Sequence, residues 1–186
     1  AEDYLRFNAA VDNEKENVLT CRNKKTDTVT IFSFHRDMHD WLKKIYAGTT
    51  VNFFHQSAVL IEGVLYNAHA GSPPPLYVYV DRFKLHVLHI TGGKLVYYNQ
   101  FLIKQFSDYV KYNMLDMKAM GMDQQTSKVV LWGYIGKNSP HYQEFAKYVR
   151  NVSFGLRPAH LRFGYLFDEV QEHHFFDLYA LNLLSA

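Results

Sequence analysis

Apolar and polar positions alternate with a period of two over the middle of this chain, and with a helical period on either side of it. Phe83, Leu85 and Val87 alternate with Lys84, His86 and Leu88, the pattern of a half-buried strand. Before them stands Leu76-Tyr77-Val78-Tyr79-Val80, a dense run of β-formers. After them Gly92-Gly93 makes a two-residue hairpin into Lys94-Leu95-Val96-Tyr97-Tyr98. The pattern predicts a three-stranded antiparallel meander with its first turn at Asp81-Arg82. A helix over 104–120 follows, with Phe106, Val110, Met114 and Met117 on one side and Gly121 at its C-terminal cap. Val129 to Trp132 reads as a buried strand. Ser139-Pro140 opens a helix that runs to about 150, since a serine cap followed by proline suits the first helical turn. A short strand over 152–154 and a closing helix over 175–184 complete the order βββαβαβα.

The first third of the chain predicts β, β, α, β, α. Strands fall at 18–21 and 28–34, separated by a polar turn, and a strand-like stretch, Tyr4-Leu5-Arg6-Phe7, lies near the start. Asp37 reads as the N-cap of a helix whose apolar stripe is Met38, Trp41, Leu42 and Ile45, ended by Gly48. A strand at 51–54 and a helix capped by Ser57 follow. The Gly71-Ser72-Pro73-Pro74-Pro75 run is the clearest breaker in the chain, because consecutive prolines allow neither a helix nor a sheet ladder. It sets the expected boundary between a unit over 1–72 and a unit over 76–186.

Composition narrows the picture. Of 186 residues, 48% are hydrophobic, ample for a packed core, and the 14 Tyr and 14 Phe make large rings its main filling. A net charge of +2 with scattered Lys and Arg gives no basic face for nucleic acid. The single cysteine, Cys21, excludes an internal disulfide and reads as a buried, inert thiol in a cytoplasmic protein. No apolar run reaches the roughly 18 residues of a membrane span.

The order βββαβαβα is the ribonuclease H-like arrangement, which occurs twice in the actin, heat-shock chaperone and sugar-kinase (ASKHA) superfamily. The runs YLRFN, FFHQSAVLIEGVL, KLVYYNQFLIKQFSDYVKYNML, VVLWGYIGKNSPHYQEFAKYV and EHHFFDLYALNLL together resemble a bacterial family of unknown function with an actin-like fold. The resemblance covers nearly the whole chain. It implies the rear half of a first actin-like domain, its first three strands missing, followed by a complete second one. A sheet cut in this way has an unpaired edge and an uncovered apolar face, so pairing with a second copy, or origin in a longer chain, is expected.

Actin-like ATPases hold ATP and Mg²⁺ on two strand turns, each with an aspartate and adjacent glycines that let backbone N–H groups approach phosphate. The resemblance puts Asp81 in one such turn and Gly133 and Gly136 in the turn facing adenosine. No glycine follows Asp81, Arg82 and Phe83 would crowd the phosphate path, and the two glycines are separated. A backbone-satisfying turn aspartate, a close backbone packing at Gly133 and a turn at Gly136 are the structural readings.

Other chemistries are weaker. A nuclease needs carboxylates clustered on the first strand of the domain, and the run 76–80 has none. Asp108 and Asp116 share a helix with Lys111 and Lys118 and read as surface pairs. Among 10 histidines, His35 and His39 have a zinc-capable spacing with no third ligand. His86 and His89 face opposite sides of a strand, and His173-His174 read as the start of the last helix. No P-loop, nucleophile elbow or dinucleotide fingerprint is present. The expectation is a non-catalytic actin-like module without a cofactor, acting through a protein partner or its own copies. The alternative is a nucleotide-binding protein or ATPase, and a metal-dependent hydrolase using histidines comes third.

Overall fold

The computed structural model describes residues 1–68, 73–105 and 107–185. The meander is present: β3 (Leu76–Val80), β4 (Lys84–Thr91) and β5 (Lys94–Leu102) pair antiparallel in sequence order. Two further strands, β6 (Lys128–Gly133) and β7 (Asn151–Phe154), add in parallel on the other side of β3, giving the order β5-β4-β3-β6-β7. Helix α4 (Ser107–Ala119) links β5 to β6, and α5 (Pro140–Tyr148) links β6 to β7. Ser139 caps α5 with its side chain, and Pro140 sits in its first turn.

Each sheet face has its own core. Leu76, Val78 and Val80 of β3 alternate with Tyr77 and Tyr79, so the two sets point to opposite faces. The first set packs with Leu85, Val87, Leu131, Met117 and Phe145 under α4 and α5. The second packs with Leu88, Ile90 and Trp132 under α3 (Gln56–Asn67) and Phe176. Full burial of such side chains is worth roughly 1.5–3 kcal/mol each. Helix α3 is covered all round, every residue from Ser57 to Leu65 being buried. Its other side meets Cys21 and Phe32 of a two-stranded antiparallel ribbon, β1 (Glu16–Arg22) and β2 (Val29–His35). Helix α3 therefore packs on the sheet that follows the proline run. Residues Gly71 and Ser72 of that run, and Phe106 of the expected α4 stripe, lie outside the described residues.

Several expectations give way. The stretch around Tyr4 is helix α1 (Glu2–Asn8), not a strand, with Glu2 and Asp3 in its first turn and an Arg6–Glu2 ion pair one turn apart. Helix α2 (Arg36–Ile45) begins directly from β2, with His35 rather than Asp37 at its N-cap. The Arg36 N–H goes to the Lys15 carbonyl, and its guanidinium reaches Asn17 and Asn13, so the chain turns two residues earlier than a side-chain cap at Asp37 predicts. Residues 51–54 form no strand. Phe53 instead lays its ring against Phe34 and His39, so this segment covers the ribbon with side chains. The first part thus reads αββαα. The closing helix is two short ones, α6 (Phe176–Ala180) and α7 (Asn182–Ser185), separated where Leu181 N–H bonds three residues back to Leu178.

Candidate functional site

In open α/β sheets, ligands gather at the C-terminal ends of parallel strands. Here the C-terminal ends of β3 and β6 lie side by side, with Val80 opposite Gly133. The sheet thereby brings Asp81 and Gly133 together, and Gly136 follows in the loop after β6. Gly133 has φ 93°, and a Cβ there would sit 2.1 Å from the Val80 carbonyl oxygen. That close approach lets Tyr134 N–H donate to Val80 O at 2.7 Å, while Gly133 N–H donates to His173 O at 2.8 Å. Gly136 has open space around it and accepts a turn bond from Ser139 N–H at 2.9 Å.

Asp81 is half-buried and engaged on its own turn. One carboxylate oxygen accepts the Arg82 N–H at 2.6 Å; the other lies 3.5 Å from the Gln56 side-chain amide, which donates to Asp177 at 3.0 Å. Gln56 thus bridges two carboxylates at the first turn of α3, where the helix dipole favours negative charge. The Tyr79 phenol is driven far up, by burial first and then by Asp177, with which it hydrogen-bonds, and by Asp81. At the rim the Arg82 guanidinium lies 5.7 Å from the centre of the Tyr134 ring. Phe175, whose ring is edge-on to Tyr134, holds a left-handed φ of 57° just ahead of α6.

Behind this rim lies a polar network that periodicity alone did not reveal. His55, not Ser57, caps α3: its Nδ1 accepts the Ser57 N–H at 3.2 Å and lies 2.6 Å from Ser57 Oγ. The Tyr98 hydroxyl contacts Ser57 and lies 2.9 Å from His86 Nδ1. His86 is fully buried, and its Nε2 has no partner. Burial, then the nearby Lys84 charge, pushes its pKa down to about 4, and His55 is lowered by the same two causes in the same order. The Tyr98 phenol is pushed up by burial. The bond between Tyr98 and His86 therefore joins a neutral phenol to a neutral imidazole. This cluster fastens α3 to β4 and β5, and its Ser57 is buried. The one sequence signal for it is the position of His86, two residues from Leu88 on the α3-facing side of β4.

The remaining candidates fall elsewhere. Asp108 and Asp116 are buried, not surface-paired. Asp108 accepts the Lys104 and Gln105 N–H groups at 3.0 Å each, and the Lys104 bond leads in lowering its pKa. Asp116 accepts the Tyr97 hydroxyl at 2.6 Å, and burial raises its pKa. His173 and His174 lie in the turn before α6 rather than within it. The His173 Nε2 is 2.6 Å from Ile135 O, its ring stacks on Phe154, and burial lowers its pKa, so a neutral imidazole holds the loop after Gly133. His39 bonds Asp40 and lies against Phe53, and Cys21 is buried. Among the described residues no three His, Cys, Asp or Glu side chains converge as a metal set, and no helix is long and apolar enough to cross a membrane.

Comparison with known proteins agrees with this geometry at the level of fold. Among solved structures, the chain is similar to a Bacteroides thetaiotaomicron VPI-5482 protein described as having an actin-like ATPase fold and unknown function, determined at 1.85 Å resolution. The two are 21% identical with a TM-score of 0.77, over 99% of this chain and 64% of that one. The chain thus spans less than two thirds of that protein's length, and the likeness is one of fold. No curated protein matches. Residues 1–152, most of the 186, match the model of a family described as "Protein of unknown function (DUF3822)". With its five-stranded mixed sheet and actin-like fold, the chain belongs to the DUF3822 family.

Proposed function

We propose that this protein is a non-catalytic actin-like module that works through protein contacts, in the first place with further copies of itself. The observation that supports this most is the apolar stripe of α2. Met38, Trp41 and Ile45 are 52%, 58% and 53% exposed, and no residue of α2 is buried. An amphipathic helix with its apolar side in water is an interaction surface, and a net charge of +2 opposes self-association little. The phosphate-turn position adds support, since the N–H after Asp81 is already bonded to its carboxylate. On this reading residues 1–72 are the rear of a first actin-like domain and residues 76–186 a second, with α3 joining them, in a cytoplasmic protein that uses no cofactor.

Analytical ultracentrifugation of the full-length protein over a concentration series tests the self-contact. The expected result is reversible association that Trp41→Glu abolishes while the melting temperature stays within about 2 °C. A monomer at every concentration, or association untouched by Trp41→Glu, overturns it. The rival is a nucleotide-binding protein or ATPase, favoured by the adjacency of Asp81 and Gly133 at the strand ends where ligands bind in such sheets. It predicts that Asp81→Ala abolishes binding and leaves the fold intact.

A further inference from the structure

A cavity of about 450 Å³ opens on the α3-facing side of the sheet, along β6 and beside β7. Neither Gly133 nor Asp81 lines it, and nothing in the proposed self-contact uses it. Its aromatic wall is rigid. Tyr77 and Trp132 stack with centroids 5.6 Å apart, and Phe176 stacks on Trp132 at 4.3 Å. The indole N–H donates to Leu156 O at 3.2 Å, and a Cβ on Gly155 would fall 2.0 Å from the indole ring, so the absence of a side chain there admits the tryptophan. Pro75 and Leu156 extend the apolar wall.

The charge around this wall is of one sign. Among the described residues, Lys128 and Arg157 line the cavity and no carboxylate does. Among the described residues no ion pair involves either cation. The Arg157 guanidinium is fixed in place by donating to Phe167 O and Val170 O and by lying over the Phe163 ring, while its buried Nε has no acceptor. A positioned, half-buried cation without an anion is electrostatically incomplete. A concave space of this size, walled by aromatic and aliphatic groups with a few convergent polar ones, has the form of a small-molecule site.

We propose that this cavity binds a small organic anion with a planar apolar body, an aryl carboxylate. The ring lies along the Tyr77–Trp132 wall and the carboxylate meets Lys128 and Arg157. Arg suits this role through its planar fork, and Lys through a mobile point charge.

The test uses indole-3-acetate and its neutral counterpart indole-3-acetamide, titrated into the full-length protein and followed by ligand-observed NMR and calorimetry. The expected result is binding of the acetate, about tenfold tighter than the acetamide and weakened by added salt. Lys128→Gln, an exposed position, weakens the acetate about threefold or more and leaves the acetamide unchanged. Leu156→Glu, at the exposed rim, weakens the acetate by repulsion without disturbing the fold. Arg157→Lys, which keeps the charge, loses less than Arg157→Gln. Equal affinity for acetate and acetamide, acetate binding indifferent to Lys128→Gln and Leu156→Glu, or no binding of the acetate up to about 5 mM overturns the proposal.

Discussion

His86 and Gly133 set the chemistry of the sheet at the residue scale. The folded chain holds His86 neutral with a pKa of about 4, against about 6.5 when unfolded. Between those values the unfolded chain binds a proton that the folded one refuses. Stability is therefore full above about pH 6.5 and falls as the pH drops towards 4, by on the order of 3 kcal/mol from His86 alone. His55, His173 and His174 shift in the same direction, while Asp116, raised by burial, offsets part of the loss. Thermal melts from pH 7 to pH 5 should show a falling midpoint, and His86→Gln should flatten the slope; a midpoint independent of pH would count against a neutral buried imidazole. Gly133→Ala should cost roughly 3 kcal/mol or more, since a methyl at φ 93° meets the Val80 backbone, whereas Gly136→Ala should stay within about 0.5 kcal/mol. Urea unfolding of the two variants separates them. The glycines' close packing and turn were legible in the sequence. The role of His86 was not, because its partners Tyr98, Ser57 and His55 come from β5 and α3, and strand periodicity says only which face a residue occupies.

At the scale of elements, α3 is where the parts meet. Glu62 is buried on it and accepts the Asn23 side-chain amide at 3.1 Å and the Lys24 and Lys25 N–H groups at 3.0 and 3.2 Å, so one carboxylate holds the β1–β2 turn. Glu62→Ala should lose about 2–4 kcal/mol, with the amides of the turn exchanging first; hydrogen exchange that stays slow there would contradict the anchoring. One residue on, a Cβ at Gly63 would meet Ala180 at 2.6 Å, so Gly63→Leu should displace α6 and lower the melting temperature by several degrees. The elements that sequence located well were those with both a period and punctuation: the meander with Gly92-Gly93, and α5 with Ser139-Pro140. Those it missed lacked one of the two. Tyr4 to Phe7 alternates like a strand, but two acidic residues start a helix there. Residues 51–54 are apolar because their rings cover β2, not because they join a ladder.

For the molecule as a whole, the order of strands and helices from β3 to β7 was legible because the connections there are short, whereas a long stretch separates β7 from α6. Nothing in the linear pattern placed α3 on the following sheet, since a helix apolar on all sides does not say what surrounds it. We propose that the Asp81 turn serves the fold and that the protein works by contact rather than on nucleotide. Titration calorimetry of the full-length protein with MgATP tests it most directly. The expected result is no binding tighter than about 1 mM, and the same thermal midpoint with and without nucleotide. Micromolar binding that Asp81→Ala removes while leaving the fold intact would contradict it.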